Sequence, residues 1–199
     1  MTRRRTLIPS PLAVQATAKP VAHPLRPVIA ERGGTQLKTP KPVVIVDTRE
    51  KVPFSFSRFQ GWFGGVEHRS LALGDYSIKG MEELCVVERK GLSDLIHSLS
   101  AERPVFVNRL RRMGEVRYRL LVITSTLSEL KSRYPYSSIE PNQVVQSLIA
   151  VLAGLQVPFL CSDSHELGEE MVASYLYQVH LYHWLDTNGY GPYLVDDDF

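Results

Sequence analysis

The chain is 199 residues long, 44% of them hydrophobic and 22% charged, with a formal net charge of +2. That length carries one medium-sized core with tails rather than two full domains, and the composition excludes a fibrous or wholly disordered protein. No run of about eighteen apolar residues occurs and Met1-Thr-Arg-Arg-Arg-Thr opens no secretory leader, so a cytoplasmic protein without a membrane span is expected, nucleoid-associated if bacterial.

Residues 1–42 hold seven of the thirteen prolines (Pro9, Pro11, Pro20, Pro24, Pro27, Pro40 and Pro42), eight Lys or Arg, one acid and no aromatic. Such a stretch buries little apolar surface, and it reads as a disordered basic arm, either an electrostatic tether to nucleic acid or a solvated tail. The domain starts at residue 43, where Val43-Val-Ile-Val is a continuous β-branched run with the texture of a buried central strand. Further strands are expected over Val66–Leu73, Leu84–Glu88 and Tyr118–Thr124. Leu92, Leu95, Ile96 and Leu99 mark a short helix. Phe106, Leu110 and Met113 stripe a second, whose other faces carry Arg109, Arg111 and Arg112. Pro141 starts a third helix through Val144, Val145, Leu148, Ile149 and Leu152, closed by Gly154 before a strand over Val157–Cys161. The last helix runs from about Ser164 to Trp184, with Leu167, Met171, Tyr175, Val179 and Tyr182 as its core stripe. Cys85 and Cys161 lie in apolar runs and are expected as buried free thiols, not as a disulfide or zinc framework. His180 and His183 stand at helical spacing without ligand partners, and Asp196-Asp197-Asp198 reads as a solvated end. Residues 43–185 thus form one α/β domain with a mixed sheet, between the arm and an acidic tail over 186–199.

Three stretches set charge against apolar strand texture, where an unpaired charge is costly: Asp47-Thr-Arg-Glu50, Gly74-Asp75-Tyr76, and Glu88-Arg-Lys90 with Asp94 beyond. Side chains alternate along a strand, so Glu88 and Lys90 share one face and Val87 and Arg89 the other. The segment Gly80-Met-Glu-Glu83 suits a hairpin-like return that brings Asp75 beside Glu88. Two adjacent carboxylates repel unless a cation lies between them, and Mg²⁺ or Mn²⁺ suits all-oxygen ligands. Such an ion would polarise a phosphate oxygen while Lys90 positions water or stabilises charge on phosphorus, which is phosphodiester hydrolysis. An acid followed by Glu-x-Lys on a strand is also the general PD-(D/E)xK nuclease pattern.

The wording is more specific than the pattern. Gly74-Asp75-Tyr76 with Val87-Glu88-Arg89-Lys90-x-x-x-Asp94-Leu95 resembles the GDx(n)ERKxxxD signature of the XPF family (XPF/Mus-type) of structure-specific endonucleases, and Val46-Asp47-Thr48-Arg49-Glu50 resembles its opening strand and loop. The likeness runs from 43 to about 182. It implies a restriction-endonuclease-like mixed sheet flanked by helices, with Asp75 and Glu88 as metal ligands and Lys90 as the catalytic lysine. Asp47 and Glu50 would be rim acids helping to hold metal or water, Asp47 among the ligands. Arg89 and Asp94 match signature positions, Asp94 equally suiting a helix start, and Arg49 is a phosphate contact or a partner for Asp47.

Family members commonly carry a C-terminal tandem helix-hairpin-helix module, and none is expected within residues 186–199. DNA affinity is then expected from Arg103, Arg109, Arg111, Arg112, Arg117 and Arg119 with the basic arm; another chain is the alternative source of that module. The resemblance also allows a homodimer through the nuclease domain. The expected function is metal-dependent cleavage of branched or flapped DNA in repair or recombination. A non-catalytic DNA-binding scaffold with the same fold is the rival.

Overall fold

The computed structural model describes Pro27, Ile29 and residues 37–198. Its centre is a mixed six-stranded sheet in the order β2-β1-β3-β4-β5-β6. Val43–Val46 (β1) pairs in parallel with Gly65–His68 (β2) and antiparallel with Tyr76–Ile78 (β3). Next to β3, and antiparallel to it, runs Cys85–Gly91 (β4); Tyr118–Thr124 (β5) and Phe159–Cys161 (β6) extend the sheet in parallel. Parallel neighbours need a crossover rather than a tight turn. Helices Leu92–Ser100 (α1) and Arg103–Gly114 (α2) supply it from β4 to β5, and Leu127–Leu130 (α3) with Pro141–Leu155 (α4) from β5 to β6. The chain ends its regular structure in His165–Thr187 (α5).

Alternation divides the strands between two cores. Val44, Val46, Tyr76, Cys85, Val87, Leu120 and Val122 face α5 and the aromatic group Phe54, Phe56, Phe59, Trp62 and Phe63. Val86, Leu121 and Ile123 face Leu95, Leu99, Phe106, Leu110, Met113, Val144 and Leu148 from α1, α2 and α4. Burying both faces explains why β5 reads as an unbroken apolar run. No helix among the described residues is long and apolar enough to cross a membrane.

The mixed sheet with flanking helices is the expected architecture; the differences are local. Of the strand expected over Val66–Leu73, Val66–His68 pairs with β1, and the Arg69 amide makes one further bond to the carbonyl of Val46, where β1 ends. α4 continues past Gly154 and stops at Gln156, whose φ of 53° is left-handed. Of the stripe expected in α5, Val179 is buried while Leu167, Met171, Tyr175 and Tyr182 are only half-buried; Val172, Ala173 and Leu176 complete the packed row. Gly168 selects that row: a Cβ there would lie 2.9 Å from Ser162 Oγ and 3.0 Å from Thr124 Cγ2, so this side of the helix comes closest to the sheet. Both cysteines are free, Cys85 buried but Cys161 half-buried, since β6 is an edge strand. Within the stretch expected to be an arm, Ile29 is fully buried in the α5-side core and Leu37 packs against it; residues 1–26, 28 and 30–36 of that arm lie outside the described residues. In the tail, Asp196 and Asp197 are exposed, yet Trp184 stacks on Tyr190 and Leu194 packs on the core, so the end of the chain is anchored.

Candidate active site

β3 runs antiparallel to β1 and β4, so its first residues lie at the same end of the sheet as the last residues of the other two. The register pairs Val46 with Tyr76 and Tyr76 with Val87. One step along, Asp47, Asp75 and Glu88 therefore fall in a single row across three strands, on the face opposite Tyr76. Backbone bonds close the row: the amide of Asp47 donates to the carbonyl of Asp75, and the amide of Asp75 to that of Val87, both at 2.8 Å. This close approach needs Gly74. Its φ is 75°, and a Cβ would meet Val86 Cγ2 at 2.3 Å and the carbonyl oxygen of Val87 at 2.8 Å.

Glu88 is fully buried. Its Oε1 accepts from Arg109 Nη1 at 2.7 Å and lies 3.3 Å from Lys90 Nζ, while Oε2 has no partner. Lys90 also stands 5.5 Å from the centre of the Phe106 ring, a cation–π contact that turns its ammonium along the α2 side. Asp75 Oδ2 accepts from the backbone amide of Arg89 at 2.7 Å. Burial, followed by the charge of Glu88, pushes the Asp75 carboxyl up to about 7 against the lowering effect of that amide. The expected return from Asp75 to Glu88 thus brings two carboxylates and an ammonium together.

Asp47 shares the row but not its availability. Oδ1 accepts from the Arg49 amide at 2.7 Å and from its Nε at 2.8 Å; Oδ2 accepts from Arg49 Nη2 at 2.8 Å and from the Leu71 amide at 2.7 Å. All four lone-pair directions are taken, and the Arg49 fork holds this carboxyl down at about 2. Ligation of a cation by Asp47 requires Arg49 to let go. Of the two alternatives for Arg49, it is found as the partner of Asp47, with its side chain 67% exposed.

Glu50 and Arg89 lie on the other side of the sheet, where their side chains, each 7% exposed, form an ion pair of 2.8 Å. Arg89 also reaches Thr124 Oγ1 at 3.4 Å and stands over Phe54. Glu50 therefore anchors the loop after β1 to β4 and does not meet the row. Asp94 is exposed in the first turn of α1.

The arginines expected on a DNA-facing surface divide. Arg111 is exposed, Arg103 reaches Ser147 Oγ at 2.9 Å and Arg112 the carbonyl of Ala72 at 3.3 Å. Arg117 is held by Asp186 at 3.5 Å, and Arg119 by the carbonyls of Gln156 and Val116. Arg109 turns inward to Glu88 and so belongs to the row. The signal lay in α2: Arg109 is three residues after Phe106 and four before Met113, at the border of the buried stripe.

Among the described residues no three His, Cys, Asp or Glu side chains gather into a metal cluster. The donor set is two carboxylates with one buried oxygen left over. It fits a hard divalent cation that keeps most of its waters, as Mg²⁺ does, better than one needing a full protein cage.

Residues 46–175 match the ERCC4 domain family. The fold is similar to XPF from Aeropyrum pernix, with 19% identity and a TM-score of 0.56 over 75% of this chain and 70% of that one. It is similar also to XPF from Aeropyrum pernix in complex with DNA, at 20% identity and a TM-score of 0.54, covering 70% of this chain and 64% of that one. A search of curated proteins found no match. These findings agree with the XPF resemblance carried by the signature.

Proposed function

The chain belongs to the ERCC4 domain family, and from that premise we propose that it is a metal-dependent DNA endonuclease that hydrolyses phosphodiester bonds. The carrying observation is Glu88: fully buried, one oxygen against Arg109 and Lys90 and the other without a partner, in one row with Asp75. Burying an unsatisfied carboxylate oxygen is expensive without a function for it.

Asp75 and Glu88 would hold Mg²⁺ or Mn²⁺ through Glu88 Oε2 and the free lone pairs of Asp75. A cation bound there supplies polarisation of a phosphate oxygen and a bound water of lowered pKa. Lys90, fixed between Glu88 and Phe106, orients the attacking water or meets the charge growing on phosphorus. Arg89 and Glu50 stiffen the strand and loop from behind, and Asp47 with Arg49 holds the near end of β1 against Leu71. The exposed Arg111 and Arg112 in the last turn of α2, with Arg103 at its start, offer cationic contacts for a DNA backbone.

Branched or flapped DNA, as met in repair or recombination, is the proposed substrate. The DNA bound to the solved XPF of similar fold supports DNA over other polymers. Self-association through this domain, or a second protein bringing a helix-hairpin-helix module, belongs to the same proposal and is read by sedimentation with and without candidate partners. The decisive experiment incubates the protein with forked, flapped and linear DNA in Mg²⁺ or in EDTA. Mg²⁺-dependent nicking of the forked or flapped DNA is expected; binding without nicking in any metal would leave the non-catalytic scaffold as the function.

A further inference from the structure

Arg109 and Lys90 meet the same oxygen of Glu88, but from different supports. Lys90 is on the same strand, two residues away, and its side chain is 17% exposed; Arg109 comes from α2 and is 43% exposed. In the row, the carboxylate of Glu88 faces both the ammonium of Lys90 and the guanidinium of Arg109, while Asp47 pairs with Arg49. A divalent cation approaching the free protein therefore finds two cations already on the carboxylate it needs, one of them the Arg109 guanidinium at 2.7 Å.

Only the Arg109 side of this pair reaches water, since Glu88 is fully buried; the guanidinium can therefore turn outward to another anion, and a cation arriving at Glu88 replaces the charge it withdraws. A backbone phosphate offers the guanidinium two non-bridging oxygens, where Glu88 gives it Oε1 alone. Arg111 and Arg112 lie on the same helix, so DNA drawn to them arrives within reach of Arg109.

We propose that Arg109 is a hand-over residue: in the free protein it neutralises Glu88 in competition with the cation, and on DNA it transfers to a backbone phosphate and releases Glu88 for the metal. The proposal rests on the metal-dependent reading above and adds the order of events to it. Metal and DNA then raise each other's affinity by the same factor, as reciprocity of coupled binding demands. The device keeps a strong metal site from being assembled before substrate is present.

The test titrates Mn²⁺ into the DNA-free full chain by calorimetry, for wild type, Arg109→Gln, Arg109→Lys, and Arg133→Gln, which removes the same charge from an exposed position outside the row. In parallel, the affinity for a labelled forked duplex is measured by anisotropy with and without Ca²⁺ at constant ionic strength. Arg109→Gln should bind Mn²⁺ about tenfold more tightly than wild type and show a smaller Ca²⁺-induced gain in DNA affinity. Arg109→Lys should fall between them and Arg133→Gln should match wild type. Melting temperatures confirm that each variant is folded. Equal or weaker Mn²⁺ binding by Arg109→Gln, or an undiminished DNA–metal coupling, overturns the hand-over while leaving the nuclease reading intact. A wild type that binds neither Mn²⁺ alone nor Ca²⁺ with DNA overturns the metal-dependent reading, and the hand-over with it.

Discussion

The backbone amide of Arg89 donates to Oδ2 of Asp75 at 2.7 Å, so the strand that presents Glu88 and Lys90 also fixes the carboxylate opposite them. An asparagine at 75 can still accept that bond, but it removes the charge that would hold a cation. Asp75→Asn should therefore keep the fold and nearly all of the DNA affinity while single-turnover cleavage falls by roughly a thousandfold or more. Cleavage within tenfold of wild type would remove Asp75 from the chemistry.

The same carboxyl makes the stability of the metal-free protein depend on pH. Its pKa is about 7 in the fold against 3.8 ordinarily. Between those values the native state holds a proton that the unfolded chain has released. Stability is therefore highest below pH 4 for this group and falls as pH rises to 7, by up to ~4 kcal/mol at 1.36 kcal/mol per unit. Urea melts in EDTA at pH 5 and pH 8 should show the loss in wild type and a flatter profile in Asp75→Asn. A variant as steep as wild type would mean that the row does not hold two crowded carboxyls.

How much of this was legible depends on the distance over which the information acts. The Asp75–Glu88 meeting could be read because β3 and β4 are close in sequence and the period of two fixes which side chains share a face. The grip of Arg109 on Glu88 could not: it depends on how α2 lies across β4, and the sequence shows only a border position of a stripe. Asp47 looked like a third ligand because residue type and position fit, but its saturation by Arg49 and the Leu71 amide is set by a loop with no regular period. Ile29 was hidden by its neighbours, as short apolar clusters scattered through a proline-rich basic stretch give no periodic signal, yet it fills the core. In α5 the apolar spacing alone points to the stripe through Met171 and Tyr175, and the close approach at Gly168 turns the neighbouring row of Val172 and Leu176 to the sheet instead.

Gly74 gives a sharper test of the row than any of its charged members. Alanine there would meet the Val87 carbonyl oxygen at 2.8 Å and Val86 at 2.3 Å in a left-handed conformation. Strain of this kind costs on the order of 1–3 kcal/mol before the clash is added. Gly74→Ala should lower the melting temperature by several degrees and reduce cleavage even at temperatures where it remains folded, because relief comes only by moving Asp75 away from β4. Full activity in a destabilised protein would show that the Asp75–Glu88 spacing is unimportant.

Glu50 and Arg89 carry signature charges, yet their pairing at 2.8 Å on the far side of the sheet assigns them to support rather than to chemistry. Removing one partner strands the other: in Glu50→Gln the buried guanidinium of Arg89, whose Nε already has no acceptor, loses its counter-charge. Breaking a buried pair in this way costs roughly 3–5 kcal/mol, whereas replacing both charges with apolar side chains of similar volume is often close to neutral. Denaturant melts of Glu50→Leu, Arg89→Leu and the double variant should therefore show a double variant clearly more stable than the sum of the singles predicts, by at least ~1 kcal/mol. Cleavage should follow the same order, since the pair acts through the placement of β4 and the loop after β1. If the double variant is folded but as inactive as Asp75→Asn, then Arg89 or Glu50 acts on the substrate directly and the support role is wrong.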